Sequence, residues 1–536
     1  MLNSAEPGIV VDQPDDDVLV EIIEPQVATT PAATFGPETV RPGDSRFPSL
    51  VTAFNRRFSA ESATVELVGT TEQVRCAVQA ALDAGKHISI RGGGHCYSDF
   101  VYNNAVSSVL DLSMMNKVYF DRDRNAFAVE GGAVLGDVYP VLFRGYGVTL
   151  PGGHCPGTGI GGHATGGGHG MLTRQFGLIT DHIHAVEMVV VDDHRRARVV
   201  HAERGGPNDD LWWAISGGGG GNFGVITKYW FRSPSAHGTD PGRLLPRPPT
   251  DWLVANVTIP WSELNQQTFT ALVNNMGIFY QNNSAPDSPF NVLSSILSIP
   301  HTSSGPITVI TLVDASETHT GHAPDLLASF HQALFAGTGI SADVPFRKLP
   351  WLAVEETINT ATPLIETNAT LRNAVKSANL VQGFTPDQIA SIYKNMTRTD
   401  YANAFPALLQ LGSLTGGVTN AVPEDATAIS YRDTNLLAFF QVYWADADGD
   451  AENIAWLRQI YQQVFVSTGG VPVPGDAYQG CVINLPDPDT TDPTMNTSGV
   501  PWQTLYYGGN YPRLQRVKAK WDPTNFFRHP MSITAV

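Results

Sequence analysis

The sequence predicts an α+β fold in which a glycine-looped half holds a ligand and a second half closes over it. Three observations lead there. Pro151–Gly170 reads Pro-Gly-Gly-His-Cys-Pro-Gly-Thr-Gly-Ile-Gly-Gly-His-Ala-Thr-Gly-Gly-Gly-His-Gly, and half of it is glycine. Arg91-Gly92-Gly93-Gly94-His95-Cys96-Tyr97 is a second such run, directly after the strand-like His87-Ile88-Ser89-Ile90. Short strand-like runs and helix-period segments are mixed along the whole chain. Glycine loses the most backbone entropy on folding, so runs this dense fit places where N–H groups must approach an anion or a flat ring.

Composition bounds the rest. At 536 residues the chain is too long for one core. It carries 51 acidic and 33 basic residues, a net charge of −18, which argues against nucleic acid or an anionic membrane as partner. No apolar stretch reaches membrane-spanning length. The first residues show neither a basic nor an apolar signal region, so a cytoplasmic location is expected. Four scattered cysteines make neither a disulfide framework nor a four-cysteine zinc site.

Taken in order, residues 1–44 are acidic, rich in Pro and Thr and aperiodic, and read as an extended or disordered arm. Residues 64–68 alternate as a strand. Thr70-x-x-Gln73 reads as a capping box, opening a helix whose apolar face is Val74, Cys76, Ala77, Val78, Ala81 and Leu82. Cys76 is thereby a small core residue. The strand at 87–90 and the first glycine loop follow, then strands near Val109–Leu112 and Ala126–Glu130. A helix near Leu135–Phe143 leads to a strand at Val148–Leu150 and the second loop. Strands near Ile183–Val191 and Arg196–Ala202 form a hairpin, and a third glycine run, Gly217–Gly221, enters the strand Phe223–Phe231. Pro241–Pro249 reads as a linker. Beyond it come helices near 262–280, 386–395 and 451–465 and strands at 306–313 and 436–444. From Gly499 the chain is rich in aromatic residues and glycine.

Gly157-x-Gly159-x-x-Gly162 satisfies the dinucleotide fingerprint as a pattern, but that motif must open a helix. Gly161–Gly170 holds six glycines, too many for one. His163 and His169 match zinc spacing loosely, with no carboxylate in the loop. What remains is a cradle for a pyrophosphate and a flat ring.

Four stretches together resemble the berberine bridge enzyme-like FAD-linked oxidases of the vanillyl-alcohol oxidase (PCMH) superfamily, in its bacterial branch near the glycopeptide-antibiotic hexose oxidase. They are Arg91–Asp99, Pro151–Asp181, Asp210–Ile226 and Tyr506–Phe527. The resemblance implies a two-subdomain PCMH-type FAD-binding domain over 45–234. It also implies a substrate domain with an antiparallel sheet covered by helices over 235–490, and a segment 491–536 that returns to the first. It implies FAD held by two covalent bonds, through His95 and Cys155. Arg91 and Gly92, Gly93 and Gly94 would meet the pyrophosphate. Gly161, Gly162, Gly166, Gly167 and Gly168 would line the ring and ribityl side. Val225 and Ile226 would meet the adenine or the ring edge by backbone, and Tyr507 and Asn510 would return to the flavin. Thr158 falls at the position that gates oxygen. The implied partners are a small-molecule secondary-metabolite substrate and O2.

The pattern breaks at the proton chemistry. Relatives carry a base in Tyr-x-Asn-Tyr-x-Asp, where this chain has Val482-Ile483-Asn484-Leu485-Pro486-Asp487. Two further tyrosines of the hexose oxidase align with His169 and Phe465. His169 is therefore the expected replacement base. The expected reaction is oxidation of a C–OH or C–H group by hydride transfer to the flavin. The alternative is a protein that keeps the flavin and catalyses a non-redox step such as a cyclisation.

Overall fold

The computed structural model describes residues 38–316, 322–361 and 370–536. The described residues build three sheets, and mixed helices and strands make the fold α+β. The first sheet holds β1 (Glu38–Val40), β2 (Thr64–Leu67), β3 (Ile88–Arg91) and β4 (Ser108–Asp111) in the order β1-β2-β4-β3. β4 runs parallel to both β2 and β3. The second holds β5 (Val118–Asp121), β6 (Ala126–Glu130), β7 (Ile183–Val191), β8 (Ala197–Glu203) and β9 (Val225–Phe231), antiparallel, in the order β5-β6-β9-β7-β8.

The third sheet has seven antiparallel strands. These are β10 (Asp251–Ile259), β11 (Leu293–Pro300), β12 (Ile307–Asp314), β13 (Phe346–Pro350), β14 (Arg372–Leu380), β15 (Ala407–Gly412) and β16 (Leu436–Trp444). Their order is β13-β10-β12-β11-β15-β16-β14. The helices Gln266–Asn282, Ala323–Phe335, Pro386–Met396 and Asp450–Val464 bury apolar faces in the core that this sheet shares.

Several sequence expectations shift. The end of the supposed arm, Glu38–Val40, is an edge strand that pairs with β2; residues 1–37 lie outside the described residues. Thr70 caps the helix Thr71–Asp83 by accepting from the Gln73 N–H, but Gln73 reaches back to Gly69 N, one residue before a true capping box. Cys76 is exposed, because it sits on the opposite side of that helix from Val74 and Val78. Val148–Leu150 is buried but is no strand: Thr149 donates to Pro246 and not to a sheet neighbour. Pro241–Pro249 is no free linker, since Leu244 and Leu245 join the core.

Gly159–Gly166 is the sharpest departure. Ile160–Thr165 is a helix despite its glycines. Intrinsic propensity is a weak prior, and neighbours override it here: Ile160 N bonds Ala133 O, and the Tyr229 hydroxyl donates to Gly161 O. The dinucleotide fingerprint therefore does open a helix, but the strand that should precede it is missing.

Two buried polar knots tie distant segments together. Lys518 donates to the carbonyls of Asn222 and Phe527 and to Asp522 Oδ2, with Lys518 and Asp522 side chains fully buried. This ties the third glycine run to residues 518–527. Arg432 meets Asp181 with two hydrogen bonds, at 2.7 and 3.1 Å, and Thr427 with a third. Burial alone would push the Asp181 carboxyl up, but Arg432 and the Leu178 N–H outweigh it and hold it below its ordinary 3.8. That contribution is complete above the ordinary value and is lost as pH falls through the lowered one. Arg432→Met leaves a buried carboxylate alone, so unfolding stability should fall by about 3–5 kcal/mol at neutral pH. Denaturant titration checks this, and adding Asp181→Asn should recover part of the loss.

Candidate active site and cofactor cavity

A cavity of about 460 Å³ is lined by residues of all three sheets, from Ile88–Ile90 on β3 to Gln410 and Gln441 on β15 and β16. The two sequence-predicted loops form its middle. Gly93 lies so close to Gly157 and Gly159 that a Cβ would overlap their backbone. The second loop is fixed against the start of the helix Leu135–Tyr146, where Leu135 N donates to Thr158 O and Gly136 N to Pro156 O. These contacts bring Gly157 beside His95, so the loop that carries Cys155 sits at the imidazole. The His95 ring stacks on Phe54 at 4.1 Å, and Tyr97 stands edge-on to it.

Arg91, Gly92, Gly93, Gly94, His95, Cys155, Gly161, Gly162, His169 and Ile226 line the cavity, as do Thr158 and Leu485. The other expected cofactor residues do not. Gly166 faces the Asn484 side chain and Gly167, at φ +110°, faces the Tyr431 hydroxyl; Gly168, at φ +70°, lies against His163 and Ile179. These glycines make room for protein neighbours. Val225 is packed in a core with Val74 and Phe527. Tyr507 donates its hydroxyl to Gly218 O, and Asn510 bonds Glu424 O. Both brace the walls from behind. Phe465, expected at an active-site position, is buried between Tyr461 and Tyr478, away from the cavity.

His169 lines the cavity, and its buried Nδ1 makes no hydrogen bond. Burial, and then the charge of His154, lower its pKa to about 4. It is neutral at physiological pH and able to accept a proton. His163 is lowered further, to about 3, by burial and by the neighbouring imidazoles, and its Nε2 accepts from the Gly153 N–H at 2.9 Å. Among the described residues no carboxylate and no lysine lines the cavity.

The residues present fit FAD. Glycine backbone can approach a pyrophosphate, and Arg91 adds a cation whose Nε has no partner while its Nη1 meets Asp111 at 2.5 Å. The sequence profile described as "FAD binding domain" matches residues 62–219, and that described as "Berberine and berberine like" matches 482–534. The aclacinomycin-N/aclacinomycin-A oxidase of Streptomyces galilaeus is 43% identical over 91% of this chain and 88% of its own length. The hexose oxidase of Chondrus crispus is 30% identical over 91% of this chain and 93% of its own. The crystal structure of a glycopeptide hexose oxidase complexed with teicoplanin superimposes with a TM-score of 0.87 at 40% identity, covering 93% of this chain and 99% of that one. The chain belongs to the berberine-like family of FAD-linked oxidoreductases.

Sequence reasoning missed the far wall of this berberine-like site. Tyr443 donates to Gln441 Oε1 at 3.0 Å, Gln441 Nε2 to Gln410 Oε1 at 2.8 Å, and Gln410 Nε2 to Ser298 Oγ at 3.2 Å. All four line the cavity. Each amide keeps a second N–H and Ser298 its O–H, beside oxygen lone pairs that can still accept, so the wall is neutral and offers both donors and acceptors. The signal was present in the sequence: Gln441 and Gln410 are lone polar residues in apolar strands.

Two glycine variants test the cradle. Gly93→Ala drives a methyl into Gly157 and Gly159 and should lose most of its flavin. Gly162→Ala has open space around the new methyl and gains about 1 kcal/mol of helix propensity. Its flavin-free form should hold or raise its thermal midpoint, while flavin is lost through the methyl on the cavity wall. Flavin absorbance relative to protein absorbance reads both.

Proposed function

We propose that this chain is an FAD-dependent oxidase of an uncharged secondary-metabolite intermediate, oxidising a C–OH or C–H group with O2 as acceptor. The single observation that carries the reading is a glycine cradle opening, in one cavity, onto a wall of neutral hydrogen-bonding side chains. In this reading residues 45–234 and the returning 491–536 hold FAD, through His95 and Cys155 as tethers, and 235–490 supply the substrate wall. FAD supplies the two-electron acceptor that side chains lack. Two electrons and two protons leave the substrate and end on O2 as hydrogen peroxide.

The chain's own residues do the rest. Gln441, Gln410 and Ser298 donate to acceptor oxygens of the substrate and orient it. The absence of charged side chains along that wall selects against phosphates and carboxylates, whose burial without a partner is costly. The names of two relatives, an aclacinomycin oxidase and a hexose oxidase, agree with a small-molecule substrate. His169 takes the hydroxyl proton at its imidazole. Leu485 leaves the usual tyrosine's place apolar, and that observation supports the second reading, a non-redox step on a retained flavin.

His169→Ala should cut kcat about a hundredfold or more, the usual contribution of a positioned acid–base group. A base must be neutral to accept a proton, so activity should persist into mild acid and fall only as the pH nears about 4. A fall centred on ordinary imidazole values would remove His169 from the role. Acid-precipitated protein should stay yellow, and Cys155→Ala should keep one tether. Anaerobic mixing with aclacinomycin A and with neutral hexoses tests the reaction itself. The oxidase reading expects the flavin to bleach before oxygen enters; product formed over a flavin that stays oxidised establishes the non-redox reading.

A further inference from the structure

With a flavin and a substrate in the cavity, His169 loses its contact with water, and a proton placed on it needs another way out. The chain beside it supplies one. His154 lines the cavity next to Cys155. Its segment runs along His169: a Cβ on Gly170 would fall on the Gly152 carbonyl, and one on Gly153 would meet the His169 carbonyl at 3.6 Å. The His154 charge in turn acts on the His169 ring.

Behind His154 stands a carboxyl that the mechanism above does not use. Tyr139, on the helix Leu135–Tyr146, donates its hydroxyl to Gly153 O at 2.6 Å. Its ring meets Trp351 edge-on at 6.1 Å, and Phe143 meets the same indole at 5.1 Å. Trp351 opens the helix Trp351–Ala361, and Glu355 lies one turn further on the same face. Glu355 is thus turned toward Tyr139 and the Gly153–Cys155 segment. Its carboxylate acts on the Tyr139 phenol, and the His154 charge acts on it. Glu356, the next residue, points elsewhere and pairs with Arg144 at 3.4 Å on the surface. Glu355 itself is half-buried, so its residue reaches from the protein interior to water.

We propose that His154 and Glu355 form a proton relay between His169 and solvent. This rests on the oxidase reading above, in which His169 takes the substrate's hydroxyl proton. As that O–H bond breaks, its electron pair stays with the substrate to form the carbonyl, and His169 gains an N–H bond. The proton passes to the His154 imidazole, then to a Glu355 oxygen, directly or across one water, and then to solvent. Reducing O2 to hydrogen peroxide takes a proton back by the same route, so a full turnover exchanges none. The direction is downhill. His169 is lowered to about 4, whereas burial raises the Glu355 carboxyl to about 7 against a smaller downward pull from His154. A group with that value both accepts and releases protons near neutral pH. A carboxyl accepts on one oxygen and releases from the other, so protonating Glu355 does not close the route, and His169 still sets the acid limit of activity.

The test uses the flavin-loaded full chain, mixed anaerobically with aclacinomycin A or a neutral hexose in weak buffer with a pH-indicator dye. In the parent, proton release should keep step with flavin bleaching. Glu355→Gln should keep the bleaching and delay the release about a hundredfold, the low end of what a positioned proton-transfer group contributes. Imidazole added as a diffusible carrier should shorten the delay, and Glu355→Asp should remove part of it. A purely structural Glu355 would slow bleaching and release together, and that result overturns the proposal, as does release that stays in step in Glu355→Gln. Difference infrared spectra need no substrate. A protonated-carboxyl band should vanish as pH rises through about 7, be missing in Glu355→Gln, and move to higher pH in His154→Phe, which removes the charge that pulls it down. A missing or unmoved band overturns the relay. Product formed over a flavin that stays oxidised, with the infrared band in place, overturns the oxidase reading and the relay's purpose with it.

Discussion

Gly93 against Gly157 and Gly159 is the contact on which the site depends. No side chain fits there, so two loops some sixty positions apart in sequence meet backbone to backbone. That closeness sets His95 beside the loop carrying Cys155. Both loops line the one cavity. A protein interior is close-packed, so displacement of one loop would be transmitted to the other. The helix Leu135–Tyr146 supplies the fixed point, because its first N–H groups, which have no partners inside the helix, bond the carbonyls of Pro156 and Thr158.

The walls are assembled from remote segments by polar knots and not by local folding. Arg432 joins the loop before β16 to Asp181 after the second glycine loop, and Lys518 joins the third glycine run to the returning tail. Each knot is buried and multiply bonded. Such groups are costly to strand, so each fixes one arrangement of the loops it joins. The substrate wall works differently. Its four side chains lie on one face of an antiparallel sheet, where register alone brings Ser298 opposite Gln410 and Gln410 opposite Phe439.

Much of the fold was legible because local signals and tertiary needs agree over β6, β7, β9, β12 and β16 and the helices at 266–282 and 450–464. The β7–β8 hairpin falls within one residue of its expected start. Legibility failed where backbone partners outweigh propensity, as in the glycine helix Ile160–Thr165, and where a buried extended segment bonds a loop, as at Thr149. At the site, glycines could be found but not sorted. Gly93 faces a loop and Gly167 a tyrosine hydroxyl, and the letter G is the same in both. Tyr507 and Asn510 looked like ligands by family position, and the structure turns both toward carbonyls behind the cavity. Glu355 gave no signal, since the groups it acts with, His154 and Tyr139, are remote from it in sequence.

The Ile533–Asn222 hydrogen bond spans 311 residues. Translation is directional, so the glycine loops emerge from the ribosome long before the segment that closes them. During that interval the cradle lacks Phe527, the Lys518 knot and one end wall. A flavin met at this stage would find a half-built site, and cofactor loading must therefore follow completion of the polypeptide. The same order makes the cell's flavin supply a determinant of yield after synthesis: chains finished faster than they are filled would wait as folded or nearly folded apoprotein.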